Sequence, residues 1–172
     1  IWLKINPPGL DGYTLDDVEK VGGSTWTQIT ANADFSDRRN HGSVRDSNGN
    51  LYVIGGTDGT NAFNDVWKSD DEGQTWTEVL ADGNTQLQQK YDFGITIDKD
   101  DVVYIYGGKL GDGNVVSACH YSNAGDLSVW TEASTGNHQR HGVELVVNSQ
   151  GRLFTIGGFQ NGEAENEVYY SD

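Results

Sequence analysis

Side chains able to grip a ligand gather at three recurring places, Arg39-Asn40-His41, Lys90-Tyr91-Asp92 and Gln139-Arg140-His141, spaced by about 50 residues. A guanidinium can hold a carboxylate through two parallel hydrogen bonds, and a phenol or imidazole can donate to hydroxyls. The chain around them is acidic. Its 26 Asp and Glu oppose 11 Lys and Arg, giving a net charge of −15. A field of that sign repels phosphate backbones and anionic lipid surfaces, which excludes nucleic acid as a partner. No stretch approaches the roughly 18 apolar residues of a membrane helix, so membrane insertion is not expected either.

Other residue types with chemical potential lack the spacing that chemistry needs. The four histidines, His41, His120, His138 and His141, match no known ligand pattern, and the i, i+3 pair His138 and His141 is only a fragment of one. Asp98-Lys99-Asp100-Asp101 has the acids of a calcium loop without its glycine and terminal glutamate. Gly107 to Gly113 is followed by no helix whose N-terminus would hold a phosphate. Cys119 is the single cysteine, allows no internal disulfide, and sits in an apolar-bordered strand as a small hydrophobe. No metal, cofactor or catalytic residue is assigned.

The elements that position these residues repeat. Double glycines at Gly55-Gly56, Gly107-Gly108 and Gly157-Gly158 stand 52 and 50 residues apart. About fourteen residues before each lies a residue–glycine step, His41-Gly42, Phe93-Gly94 and His141-Gly142, at intervals of 52 and 48. Short strands ending in Ser69, Ser122 and Ser171 follow, and tryptophans at Trp26, Trp76 and Trp130 mark a further position. The apolar runs 51–54, 102–106 and 153–156 are short and rich in β-branched and aromatic residues, which predicts buried strands. Asn-, Asp- and Gly-rich turns precede each, and no segment carries a helical apolar stripe. The prediction is an all-β chain of four-stranded antiparallel meanders.

Arg39-x-His41-Gly42, then Asn50 to Gly56, then Asn64-Asp65-Val66-Trp67 and Trp76 resembles a kelch repeat, and the resemblance covers roughly residues 38–172. It implies β-propeller blades. A second signature, Ser69-Asp70-Asp71-Glu72-Gly73-Gln74-Thr75-Trp76, is similar to the Asp-box (BNR) hairpin of sialidases, where Ser69, Asp71, Gly73, Thr75 and Trp76 fill the motif positions in a structural role. A sialidase-like site would need three arginines on one carboxylate, yet the chain has five in all and no assignable tyrosine–glutamate pair.

The resemblance implies that inner strands line a channel and that Arg39, His41, Lys90, Tyr91, Arg140 and His141 form a ligand-binding mouth, or else bond neighbouring loops. Expected boundaries are an N-terminal arm or linker over 1–15 and blades over 16–172, namely 39–80, 91–134 and 140–172, with 24–29 supplying an outer strand. Three blades cannot close a ring that needs about four to eight. The expected remedy is a homodimer with six blades, or a longer chain of which this is a part. The expected function is a non-catalytic binding module for glycan or protein, extracellular or surface-exposed. The alternatives are a carbohydrate-active enzyme (a sialidase-like hydrolase, lyase or epimerase) and a structural or assembly subunit of a larger particle.

Overall fold

The computed structural model describes residues 26–123, 125–135 and 138–171. The expected arm over 1–15 and the start of the expected outer strand over 24–29 fall outside them. Among the described residues every regular element is a β-strand, and the strands form antiparallel blades arranged as an open, partial propeller.

The first blade is β1 (Gly42–Arg45), β2 (Leu51–Thr57), β3 (Ala62–Ser69) and β4 (Thr77–Leu80), paired in that order from inner to outer edge. β5 (Lys90–Tyr91) then leads into β6 (Gly94–Ile97) and β7 (Val103–Tyr106). β8 (Lys109–Leu110), β9 (Ala118–Ser122) and β10 (Thr131–Thr135) follow. The second blade is β6-β7-β9-β10, and β5 pairs with β8 at its end. The third is built from β11 (Glu144–Val147), β12 (Leu153–Ile156), β13 (Phe159–Gln160), β14 (Glu163–Ala164) and β15 (Val168–Tyr170). Its main sheet has three strands, β11-β12-β15, where the other blades have four.

Local chemistry explains the hairpins. Asp46, Asp98 and Asn148 each open the first turn of a blade and accept backbone N–H bonds from two and four residues on, at 2.9–3.0 Å. Such side chains mimic a backbone turn and start a hairpin without help from the rest of the fold. The hairpin between β3 and β4 is held in the same way. Asp71 accepts from the Thr75 N–H at 2.9 Å and the Thr75 hydroxyl at 2.7 Å, and Ser69 Oγ accepts from the Gly73 N–H at 2.8 Å. Hydrogen bonds from the Thr75 backbone, first, and the Thr75 and Ser69 hydroxyls pull the Asp71 carboxyl down to about 2.

The core lies between the first two blades. Tyr52, Ile54 and Val66 on one face meet Val103 and Ile105 on the other, with Leu87, Leu127 and Trp130 filling the cleft. Each fully buried side chain of this kind contributes roughly 1.5–3 kcal/mol relative to leaving it in water. The double glycines close the second strand of each blade, where the second glycine meets the backbone entering the same blade and, in the first two blades, the first glycine meets the next blade's backbone. Gly107 and Gly108 have φ of 69° and 100°. A Cβ on Gly108 would stand 2.8 Å from the Tyr91 carbonyl oxygen, and the Gly108 N–H donates to the Arg140 carbonyl at 2.8 Å. Glycine is required there by both φ and space.

One alignment differs from the sequence reading. Register pairs Gly42 with Ile54, Gly94 with Tyr106 and Glu144 with Ile156, so the third unit's counterpart of Gly42 is Glu144, two residues beyond His141-Gly142. The described part of 24–29 is irregular, with Trp26 97% exposed, and it pairs with no strand among the described residues.

Candidate functional site

One end of the arc collects the chemistry. The inner strands begin there and the double-glycine turns return there, so each blade contributes one rung between them. Arg39 bridges Thr57, Tyr91 pairs with Lys109, and His141 bridges Phe159. Arg39, Tyr91 and His141 are therefore equivalent residues of successive blades. The residues after them are equivalent too. Asn40, Asp92 and Gly142 share φ values of 53°, 59° and 58° and link the blades in a belt. The Asp92 N–H donates to the Asn40 carbonyl at 2.9 Å, and the Gly142 N–H donates to the Asp92 carbonyl at 2.7 Å. Left-handed backbone in Asn or Asp is uncommon but tolerated, and three in register mark a constrained rim.

Side chains on this rim are held. His141 Nδ1 lies 2.7 Å from Asp92 Oδ2, across the junction of the second and third blades, and its ring stacks on Phe159 at 5.4 Å. Phe159 is exposed. At the first junction Arg39, Asn40, Thr57, Gly59 and Tyr91 line a groove of about 190 Å³. Arg39 is exposed beside it. On a chain of net charge −15 this rim presents Arg39, Lys109 and His141 together.

The row just beneath is structural. Arg38, Lys90 and Arg140 each stand 17 residues before the first glycine of a pair. Arg38 grips Asp65 through both terminal nitrogens at 2.7 and 2.9 Å and donates to the Gly55 carbonyl at 2.9 Å. Arg140 donates through one terminal nitrogen to Glu167 and through the other to the Gly157 carbonyl at 3.0 Å. The second blade lacks the acid, because Ala118 occupies the place of Asp65 and Glu167 ahead of the third strand's central residues. Lys90 is accordingly 2% exposed, and its ammonium has no hydrogen-bond partner among the described residues.

So the structure divides the six sequence-predicted mouth residues. Arg39, Tyr91 and His141 share the rim; Lys90 and Arg140 have buried side chains in the row below; His41 is exposed, two residues beyond Arg39 and equivalent to Phe93 and Val143. Sequence spacing alone set Arg39 beside Lys90, gave Arg38 no role, and did not show that His141 meets Asp92 and stacks on Phe159. The constant 17-residue offset to the double glycine was the signal for Arg38.

Burial draws the Lys90 pKa down to about 8 from 10.5. Below 8 both folded and unfolded chains carry the charge, and the folded chain bears its full desolvation cost. Between about 8 and 10.5 the unfolded chain holds the extra proton, so stability rises with pH across that window. Lys90→Met is expected to flatten this rise and to unfold at a higher temperature than the parent at pH 7, as scanning calorimetry between pH 7 and 10.5 would show. An equally steep rise in the variant would place its source elsewhere.

Among the described residues no group of three or more His, Cys, Asp or Glu side chains is placed to hold a metal ion. His138 and His141 diverge: His138 stacks on Tyr169 at 3.7 Å while His141 faces Asp92. Cys119 is buried, and burial pushes its thiol up, away from nucleophilic use. No helix of the described residues is long and apolar enough to cross a membrane.

Residues 11–172 match the family model described as the KLHDC2/KLHL20/DRC7 Kelch-repeats domain. No curated protein matches the chain.

Proposed function

The chain belongs to the Kelch-repeat family, and from that premise we propose that it is a non-catalytic protein-interaction module whose rim, Arg39, Tyr91 and His141, takes a segment of another protein. The observation that carries this reading is the register itself: three chemically different side chains occupy one equivalent position in three blades, each hydrogen-bonded at the backbone to the turn that follows a double glycine. Rigid strand ends hold them, which lowers the ordering cost of binding. The groove beside Arg39, with the exposed Phe159 one blade further on, suits an acidic side chain followed by an apolar one. In this reading Lys90 and Arg140 support the rim from below, and His41 extends it. A glycan ligand and the sialidase-like hairpin reading of 69–76 are finer alternatives; the hairpin lies at the outer edge of its blade, between β3 and β4, away from the rim.

Panning a displayed random-peptide library against the chain, with a glycan array in parallel, tests the proposal. Acidic peptides are expected, and isothermal titration is expected to show at least a tenfold loss of affinity for Arg39→Ala, about 1.4 kcal/mol. Retained affinity in a combined Arg39→Ala, Tyr91→Ala and His141→Ala variant would place the binding surface elsewhere. Glycan signals with no enriched peptide would favour carbohydrate.

A further inference from the structure

We infer that the junction between the first two blades binds a buried monatomic anion of the halide class, held by the Lys90 ammonium and the Nδ1–H of His120 where the other two blades carry a carboxylate. The inference is independent of what the rim binds.

Each blade sets three positions together: a base ahead of the inner strand, an acid in the third strand or just before it, and a hydrogen-bond donor two residues after the acid. In the first blade Asp65 accepts from Arg38 at 2.7 and 2.9 Å and from the Trp67 indole N–H at 2.8 Å. In the third, Glu167 accepts from Arg140 and from the Tyr169 hydroxyl at 2.7 Å. Strand register makes His120 the equivalent of Trp67 and Tyr169, so the second blade's trio is Lys90, Ala118 and His120. Base and donor are kept. The carboxylate alone is replaced, by a methyl group.

The two donors are left over as that replacement dictates. Lys90 and His120 are each 2% exposed, and neither Lys90 Nζ nor His120 Nδ1 has a hydrogen-bond partner among the described residues. Buried donors are normally paired, and a buried ammonium without a counter-charge is costlier still. Burial first, then the charge of Lys90, draws the His120 imidazole down to about 4. Its ring is therefore neutral at pH 7 and has one N–H to give. Glu132 does not answer either donor. It stands opposite His120 on β10, its Oε2 lies 3.8 Å from the other ring nitrogen, beyond hydrogen-bond range, and its side chain is 48% exposed. Cys119, the next residue on β9, is held neutral because burial pushes its thiol up.

Space and charge select the occupant. Lys90 lines a cavity of about 10 Å³ with Gly55, Phe63 and Phe93, the room of one water-sized species. A monatomic anion enters with a small movement of the flexible lysine stem, whereas a polyatomic one does not fit. A water molecule would satisfy the donors and leave the charge uncompensated. A halide satisfies both.

Heat unfolding of the 172-residue chain at pH 7, with chloride replacing gluconate at constant ionic strength, tests the site. Constant ionic strength removes the screening that a net charge of −15 would otherwise respond to. Once the site is filled, the unfolding equilibrium constant of the parent is expected to fall about tenfold for each tenfold rise in chloride, the slope of one site present only in the folded chain. Lys90→Met removes the ammonium and is expected to show no response. Ala118→Asp returns the carboxylate and is likewise expected to be insensitive to chloride. A parent indifferent to chloride would overturn the inference and leave water as the partner of both donors. A response in Lys90→Met equal to the parent's would overturn it as well, by placing the anion elsewhere.

Discussion

Arg38→Ala is expected to destabilise the chain by about 3–5 kcal/mol, the range for removing one partner of a buried ion pair. The Arg38 side chain is 1% exposed and that of Asp65 6%. The loss exceeds that of a surface pair because Asp65 stays behind in an apolar surround, holding only the Trp67 indole N–H at 2.8 Å. The Gly55 carbonyl loses a donor at the same time. Urea denaturation followed by tryptophan fluorescence would read the change. Arg38→Met with Asp65→Leu should recover most of it, because replacing both charges leaves no orphan. A loss under about 1 kcal/mol for Arg38→Ala would mean that the pair behaves as a solvated surface bridge.

Gly107→Ala is expected to loosen the third blade from the second. The added methyl would fall against the Arg140 carbonyl oxygen, which is backbone and cannot swing aside, and the φ of 69° is strained for any L side chain. The dihedral alone costs about 1–3 kcal/mol. Loss of the neighbouring Gly108 to Arg140 hydrogen bond adds to it. Limited proteolysis should cut first in the 136–142 connection, ahead of any cut in the first two blades. The contrasting variant is Gly113→Ala, where nothing lies within 4 Å of the new methyl. Its φ of 86° leaves only the dihedral cost, so Gly113→Ala should protect the connection better than Gly107→Ala does. Equal cleavage in the two variants would show that the close approach at Gly107 is unimportant.

Much of the fold is legible in the chain because its signals are local. A turn opened by Asp46, Asp98 or Asn148 needs only residues within four positions, and the double glycines answer a steric demand that recurs in every blade. The rim was legible in type but shifted in register. His141-Gly142 reads like His41-Gly42, yet Gly142 is the backbone equivalent of Asn40 and Asp92, all three left-handed. Identity of letters misled where identity of φ did not. Arg38 and Arg39 adjoin, and only the tertiary pairing of Arg38 with Asp65 tells which one is buried. The His141–Asp92 contact joins residues 49 apart in neighbouring blades, and no local pattern encodes it.

A partner protein is proposed to bind at the rim formed by the inner-strand starts and the double-glycine turns. Hydrogen–deuterium exchange of the chain with and without a selected acidic peptide tests it most directly. Protection is expected at 39–41, 57–61, 90–92, 108–111 and 140–142, with the outer strands unchanged. Protection confined to the outer hairpin 69–76 and β4, with the rim exchanging as before, would place the binding surface away from the rim.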